Sequence, residues 1–241
     1  MIFLTSCSNN EEQSKSIKKE KSNQEQSKED NQNTLKIASF NISEDGSKIT
    51  IGDQIWSTNN LTVTQFRNGD PIPIVSSEEE WINACKNEEP AMCYYNNDQK
   101  NLEIYGALYN WYAVNDPRQL SPEGWKIPSN DEWQLLINNV GGYKNAAPYL
   151  MSKNKWGNTK NVESAIGFNA VPGGSRNVYI KLKDVPKSGS FSSIGQIGVW
   201  WSSTEATELG SNYILLTKGK SKITTSVDSK CGGMSVRCIK E

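Results

Sequence analysis

The sequence predicts an α+β domain in which short antiparallel strands accompany two or three helices, preceded by a disordered tail. Three observations lead to this prediction. Short runs of β-branched and aromatic residues, separated by turn residues, stand near both ends of the region from residue 35 onward. Helix start signals stand in the first half of that region. Residues 8–34 lack the apolar side chains that a packed core requires.

The strand signals begin with a hairpin. Lys48–Ile51 and Gln54–Trp56 flank Gly52 and Asp53, a pair that favours a two-residue turn with positive φ. Towards the C-terminus, four short runs are separated by Gly, Ser and Lys turns. They predict an antiparallel meander: Gly198–Trp201, Asn212–Thr217, Lys222–Val227 and Met234–Ile239.

The clearest helix signal is a capping box, in which a serine and a glutamate three residues later satisfy free amides of the first turn. Ser129 and Glu132 form such a pair, and Gly141 is placed as the glycine that ends the helix. Apolar residues follow the box at the spacing of one helix face: Trp133, Leu136, Ile137 and Val140.

Two weaker helix signals precede this one. Ser77 and Glu80 form a second capping box, which predicts a shorter helix through Trp81 and Ala84. The segment Gly106–Val114 (GALYNWYAV) is the third helix candidate. Helices on one side of an antiparallel sheet define the α+β class.

The predicted organisation has three parts: a truncated lipoprotein signal over residues 1–7, a disordered polar tether over 8–34 and a single domain over 35–241. The tether contains five Lys and six Asp or Glu, and Ile17 is its only aliphatic residue. Such a segment cannot bury enough apolar surface to compensate for the entropy of ordering. No repeat and no Gly/Ser/Pro linker divides residues 35–241.

The first residues carry a possible lipid anchor. The run from Leu4 to Cys7 resembles the lipobox of bacterial lipoproteins, in which the cysteine is acylated, and Glu11 and Glu12 resemble the acidic stretch of lipoproteins exported to the cell surface. We therefore expect lipidation of Cys7 and a surface-exposed position on the bacterial outer membrane. A secretory signal needs about 7 to 15 apolar residues, so the natural start is expected upstream. A chance cysteine in a disordered terminus is the alternative.

The composition excludes several classes of function. The chain contains no histidine, which removes Ser-His-Asp and Cys-His catalysis and His-bearing zinc sites. The net charge is −1 and there is no basic block, so nucleic acid is not an expected partner. No run approaches the roughly 18 apolar residues of a spanning helix. No cofactor is expected.

Eight ordered motifs resemble those of the Fibrobacter succinogenes major paralogous domain and cover about residues 45–241: KITIGDQIWSTNNL, PIPIV, CYYNND, YGALYNWYAVN, PEGWKIPSNDEW, GFNAVPGGSR, VWWSSTE and SVRC. The resemblance implies a C-type-lectin-like fold, related in topology to formylglycine-generating enzymes, on secreted or lipid-anchored bacterial proteins. It implies no established activity. The segment Leu120–Lys126 departs from the family pattern because it lacks the usual cysteine and histidine.

The remaining cysteines are Cys85, Cys93, Cys231 and Cys238, and we expect them to form disulfides in an oxidising compartment. No CxxC pair is present, which disfavours zinc. A local bridge between Cys231 and Cys238 is disfavoured, because a strand between them separates their Cα atoms beyond the roughly 5.5 to 6 Å of a disulfide. Cross-links from Cys85 or Cys93 to the C-terminal strand fit better.

The predicted ligand site lies where a lectin-like fold leaves loops free to vary, along residues 173–198. Ser203 and Glu205 would form its floor, Arg176 one rim and Asn212 the neighbouring strand. These hydroxyl, carboxylate, guanidinium and amide groups suit a polyhydroxylated ligand. Alternatively, Glu205 and Arg176 form a structural ion pair.

Calcium and aromatic stacking are two further possibilities. WWSSTE offers one carboxylate, whereas calcium prefers about six to eight oxygens, so no metal site is expected. Nine aromatic side chains could stack on sugars, but most are expected in the core because each buries about 150 to 250 Å²: Tyr94, Tyr95, Tyr105, Tyr109, Trp111, Tyr112, Trp125, Trp200 and Trp201.

The leading functional hypothesis is therefore a lipid-anchored binding module, not an enzyme, that recognises a glycan or a surface protein. The first alternative is a structural or adhesive surface protein without a small ligand. The second is a hydrolase with an unrecognised carboxylate pair, which the sequence does not position.

Overall fold

The computed structural model describes residues 37–157, 165–178 and 189–241. Cys7, the segment 1–7 and the tether 8–34 lie outside the described residues, as does part of the predicted loop region 173–198. Within the described ranges, no helix is long and apolar enough to cross a bilayer.

The described residues form mostly short elements, in agreement with the predicted α+β class. The helices are α1 (Glu78–Lys86), α2 (Lys100–Tyr105), α3 (Trp111–Val114), α4 (Asn130–Asn139) and α5 (Ala147–Leu150), with a 3₁₀ turn at Tyr95–Asn97. The strands are β1 (Phe40–Ile42), β2 (Lys48–Ile51), β3 (Gln54–Ser57), β4 (Met92–Cys93), β5 (Leu108–Tyr109), β6 (Trp125–Lys126), β7 (Ser175–Asn177), β8 (Ser190–Ser192), β9 (Ile197–Thr207), β10 (Gly210–Thr217), β11 (Thr224–Ser229) and β12 (Ile239–Lys240).

The largest sheet joins the two ends of the domain. Its order is β1-β2-β3-β12-β6, and every neighbouring pair is antiparallel. The predicted hairpin is confirmed: β2 and β3 pair with Ile51 opposite Gln54, and Gly52 has a φ of 57°. The last strand, β12, lies between β3 and β6, so the C-terminus is a central element of this sheet.

Three of the four predicted C-terminal runs form the expected meander, since β9, β10 and β11 make a three-stranded antiparallel sheet. The fourth run, Met234–Ile239, meets the meander at Ser235, which forms a parallel bridge with Trp200 of β9, but it adds no strand to that sheet. Met234 instead bridges Tyr109, and Ile239 pairs with Trp56 and Lys126. This run is buried along its whole length. It therefore lies between β9 and elements of the first half of the domain.

Both predicted capping boxes are present. Ser129 and Glu132 cap α4, and Ser77 and Glu80 cap α1. The third predicted helix is only partly correct, because Leu108 and Tyr109 form a strand with Met92 and Cys93 and only Trp111–Val114 is helical. The asparagine at position 110 explains the division: its side chain accepts from the amide of Ala113 and so begins the helix there.

The four cysteines that the structure describes form one disulfide and two free thiols. Cys85 of α1 is bonded to Cys231, which confirms a cross-link from the first half of the domain to its C-terminal region. Cys93 and Cys238 are free and buried, so the expectation that all four pair is wrong. Burial raises the pKa of Cys93 to about 11 and that of Cys238 to about 12, which leaves both as unreactive thiols at neutral pH.

Candidate functional site

The structure does not bring all four predicted ligand residues together. Ser203 and Glu205 lie on β9 and Asn212 on the adjacent β10, but Arg176 lies in β7, beside α1. The side chain of Glu205 is exposed, whereas those of Ser203 and Asn212 are half-buried. Ligand binding by these residues stays a prediction.

Arg176 is only 1% exposed, so its predicted position at a rim is wrong. Its guanidinium stacks between the rings of Trp81 and Phe191, at 4.5 and 5.0 Å from their centroids. It donates hydrogen bonds to four main-chain carbonyls, those of Val75, Ser76, Ser77 and Gly189. The side chain therefore secures the start of α1, and its burial keeps it out of reach of a ligand.

The predicted ion pair between Arg176 and Glu205 is also wrong. The carboxylate of Glu205 pairs instead with the ammonium of Lys230, whose Nζ lies 4.7 Å from the ring centroid of Trp111. Lys230 is nearly buried, and the Trp111 ring and the Glu205 carboxylate together stabilise its charge. Glu205 thus has a structural partner on the side of β9 that approaches Trp111.

Ser203 lies in a bulge of β9. Trp201 opposes Tyr213 and Glu205 opposes Ser211, so four residue steps on β9 match two on β10. The Ser203 amide donates to the carbonyl of Pro128 at 2.9 Å. The carbonyl of Thr204 accepts from the side chains of Ser211 and Asn212, which occupies the amide nitrogen of Asn212. The bulge is therefore fixed on both sides.

Ser203 lines a polar cleft, which we call the Ser203 cleft, with a volume of about 300 Å³. Its walls come from the end of α3, the loop that follows it, β6, the bulge of β9 and the C-terminus. The lining residues are Arg67, Val114, Asn115, Asp116, Gln119, Leu120, Ser121, Trp125, Lys126, Ile127, Ser203 and Glu241. They supply amide, hydroxyl, carboxylate, ammonium and guanidinium groups together with one aromatic ring.

Arg67 stabilises the wall of the Ser203 cleft that contains Ser121 and Trp125. Its guanidinium donates to the main-chain carbonyls of Ser121, Pro122 and Trp125, at 3.2, 3.0 and 2.8 Å, and pairs with Glu241 at 3.2 Å. These bonds hold the loop that carries Trp125. The cleft is therefore pre-organised, because a ligand would not have to order this loop.

Gln119 and Asp116 form the opposite wall. Gln119 has a φ of 63°, an uncommon conformation for a residue other than glycine, and its side chain is exposed. Asp116 pairs with Arg118 at 2.8 Å, and hydrogen bonds from that guanidinium lower the pKa of its carboxyl group. Asp116 therefore acts as an ionised hydrogen-bond acceptor at neutral pH.

Most of the aromatic side chains considered for sugar stacking lie in the core. Tyr95, Tyr109, Trp111, Trp200 and Trp201 are buried. The half-buried rings are those of Tyr94, Tyr105, Tyr112 and Trp125. Trp125 lines the Ser203 cleft, and the Lys240 ammonium lies 4.7 Å from its ring centroid. Within the described residues, no group of three or more Cys, Asp or Glu side chains is arranged to hold a metal ion.

The fold and the cleft define an α+β domain whose irregular loops enclose a small polar cleft. The chain belongs to the Fibrobacter succinogenes major domain family, whose sequence pattern matches residues 49–240. This match confirms the resemblance. No curated protein and no solved structure matches the chain. The C-type-lectin-like topology therefore stays a prediction.

Sequence reasoning identified one lining residue of the cleft as a ligand residue, Ser203, and another, Trp125, as an aromatic candidate. It missed Asn115, Asp116 and Gln119. The available signal was Asn115, which ends the family string YGALYNWYAVN. The other two follow in a segment without periodicity, and only the folded loop brings their side chains to one cleft.

Proposed function

We propose that this protein is a lipid-anchored, cell-surface binding module that recognises a glycan through the Ser203 cleft, on a C-type-lectin-like fold. The observation that carries the proposal is the cleft's mixture of fixed polar groups and one half-buried ring, Trp125. Sugar hydroxyls are bound by amides, carboxylates and hydroxyls, and pyranose C–H groups pack on aromatic rings. The loop positions of these residues are typical of recognition surfaces.

The charge state of Asp116 makes it unsuited to act as the general acid of a glycosidase. A glycosidase needs a carboxylic acid whose pKa is raised so that it donates a proton. The hydrogen bonds from Arg118 instead lower the pKa of Asp116. Both of its carboxylate oxygens accept hydrogen bonds from Arg118, so Asp116 contributes to the cleft by fixing that guanidinium.

The binding proposal is tested with a glycan array probed by residues 35–241. We expect selective binding that survives chelation of calcium. Asn115→Ala should weaken it at least about tenfold, the effect of one lost hydrogen bond worth about 1.4 kcal/mol. Asn138→Ala, which removes an exposed amide on α4 outside the cleft, is the matched control and should leave the affinity unchanged.

Three results would contradict this proposal. An array without selective binding would favour a structural or adhesive surface protein. Equal affinities of Asn115→Ala and the unmodified domain would place the ligand elsewhere, and loss of binding on chelation would indicate a calcium site. Glu205→Ala and Asn212→Ala then test whether the ligand extends beyond Ser203 along the bulge.

The anchor is a separate prediction. In its bacterial host, the protein should be acylated at Cys7 and partition into membranes, because each buried CH₂ contributes about 0.8 kcal/mol and two or three chains anchor a protein stably. Cys7→Ala should release it into the soluble fraction. A Cys7→Ala protein that still sediments with membranes, or an unmodified N-terminus by mass spectrometry, would refute the anchor.

A further inference from the structure

A second cleft lies on another part of the surface, between the strand β1, the turn after β3 and the segments around residues 153 and 169. We call it the Asn169 cleft. It has a volume of about 510 Å³, larger than the Ser203 cleft, and the two clefts share no lining residue. Its polar side chains include those of Asn59, Lys153, Asn154 and Asn169.

A buried arginine holds two walls of the Asn169 cleft together. Arg237 is fully buried and donates to the carbonyls of Ser57 and Phe168, both at 2.8 Å, and to the side-chain oxygen of Asn60 at 3.0 Å. Ser57 and Asn60 flank Thr58 and Asn59 in the chain, and Phe168 precedes Asn169. The geometry of these two walls is therefore fixed before any ligand arrives.

Main-chain hydrogen bonds join the wall formed by residues 151–154 to the wall that carries Asn169. Met151 and Ala170 form a parallel bridge, and the amide of Ser152 donates to the carbonyl of Ala170 at 2.8 Å. This arrangement places the segment that carries Lys153 and Asn154 beside Asn169. These three walls are therefore built from hydrogen-bonded backbone, and β1 borders the cleft as a fourth segment.

Four polar side chains of this cleft have no competing partner among the described residues, whereas the Thr58 hydroxyl donates to the carbonyl of Gly46. None of the side-chain amides of Asn59, Asn154 and Asn169 makes a hydrogen bond to another residue that the structure describes, and the Lys153 ammonium forms no ion pair with one. Of the residues that the structure describes, no Asp or Glu lines the cleft. The described lining residues thus supply several hydrogen-bond donors and the positive charge of Lys153.

The backbone at Asn169 supports a recognition role. Asn169 has a φ of 58°, in the left-handed region that asparagine tolerates better than most residues. Residues held in such conformations cluster at ligand sites, because the surrounding structure must determine them. Here, the hydrogen bond from Arg237 to the carbonyl of Phe168, the preceding residue, supplies that constraint.

Two apolar side chains border the same cleft and remain open to solvent. Phe40 is 48% exposed and Ile42 is 44% exposed. A ring beside a group of amides and an ammonium is the combination that binds the C–H face and the oxygen atoms of a pyranose at the same time. The Lys153 ammonium in the lining favours a sugar with its own negative charge.

We propose that the Asn169 cleft is a second saccharide site, specific for a pyranose that bears a carboxylate. Lys153 binds the carboxylate, the amides of Asn59, Asn154 and Asn169 bind hydroxyl or carboxylate oxygens, and Phe40 packs on the sugar ring. The site is independent of the Ser203 cleft, so neither its presence nor its absence decides the proposed function there.

The test measures binding of an oligogalacturonate and of a neutral galactose oligomer of equal length by calorimetry, with the full chain carrying Cys7→Ala. We expect saturable binding of the acidic oligomer alone. Lys153→Met should weaken it at least about tenfold, as expected for loss of a charge-assisted bond. Lys155→Met, which removes an exposed lysine outside the cleft, is the matched control and should change the affinity less than about twofold.

A second variant distinguishes binding in the Asn169 cleft from non-specific electrostatic attraction. Asn169→Gly removes the amide and keeps a backbone that tolerates positive φ, so it should weaken binding without altering the circular dichroism spectrum. Asn115→Ala in the Ser203 cleft should have no effect on this ligand. Absence of saturable binding, equal binding of the neutral oligomer, or equal losses in Lys153→Met and Lys155→Met would overturn the proposal.

Discussion

Arg237→Met is expected to lower the free energy of unfolding by at least about 3 kcal/mol, with the loss visible as an earlier transition in urea. The side chain is fully buried, and burial lowers its pKa to about 9, so it is still charged at neutral pH. Methionine keeps the apolar stem but leaves the carbonyls of Ser57 and Phe168 without their donor. A buried acceptor that loses its partner costs about 1 to 3 kcal/mol.

A surface arginine serves as the control, because its loss leaves no buried carbonyl without a donor. Arg118→Met removes a guanidinium that also makes several bonds, but its side chain is 35% exposed and water replaces the lost partners. Its effect on stability should be much smaller. If Arg237→Met and Arg118→Met unfold at the same urea concentration, the bonds of Arg237 do not stabilise the domain.

The stability of Arg237→Lys shows whether the shape of the guanidinium matters in addition to its charge. Lysine retains the charge but is a point donor, and it cannot reach the Ser57 and Phe168 carbonyls and the Asn60 oxygen together. We therefore expect little recovery relative to Arg237→Met. Recovery close to the unmodified protein would show that charge alone matters at this position.

Local signals in the sequence were sufficient to predict several elements. The capping boxes at Ser77 and Ser129 and the turn at Gly52 depend on residues within a few positions, so the sequence specifies them directly. Pairing between distant segments was not predictable in this way. The run Met234–Ile239 has the composition of a strand, but no local feature determines its partners, which are Trp56, Tyr109, Lys126 and Trp200.

The site was less predictable for the same reason. Ser203 was identified as a ligand residue because it stands in a motif, whereas Arg176 in the neighbouring motif turned out to be buried beneath α1. An arginine that binds carbonyls and one that binds a ligand have the same sequence pattern. The bulge of β9, which directs Ser203 to its cleft, arises from a register shift that only the paired strands reveal.

Loss of the disulfide between Cys85 and Cys231 is expected to lower the melting temperature by roughly 5 to 15 °C, which corresponds to about 2 to 5 kcal/mol for a domain of this size. The bond closes a loop of sequence separation 146, so reduction greatly enlarges the unfolded ensemble. It also joins α1 to the C-terminal turn, where the Trp81 indole donates to the Cys231 carbonyl at 2.8 Å. Cys85→Ala with Cys231→Ala, measured by scanning calorimetry, tests the magnitude.

The dependence on reductant distinguishes the disulfide from the packing of its sulfur atoms. The melting temperature of the unmodified domain should fall when reductant is added, and that of the double variant should not. Cys93→Ala should retain the dependence, because Cys93 is a free thiol. A thiol reagent should label no cysteine of residues 35–241 in the native state and only Cys93 and Cys238 after unfolding without reductant, since burial protects both. Four reactive thiols in the native domain, or a reductant-sensitive double variant, would contradict this connectivity.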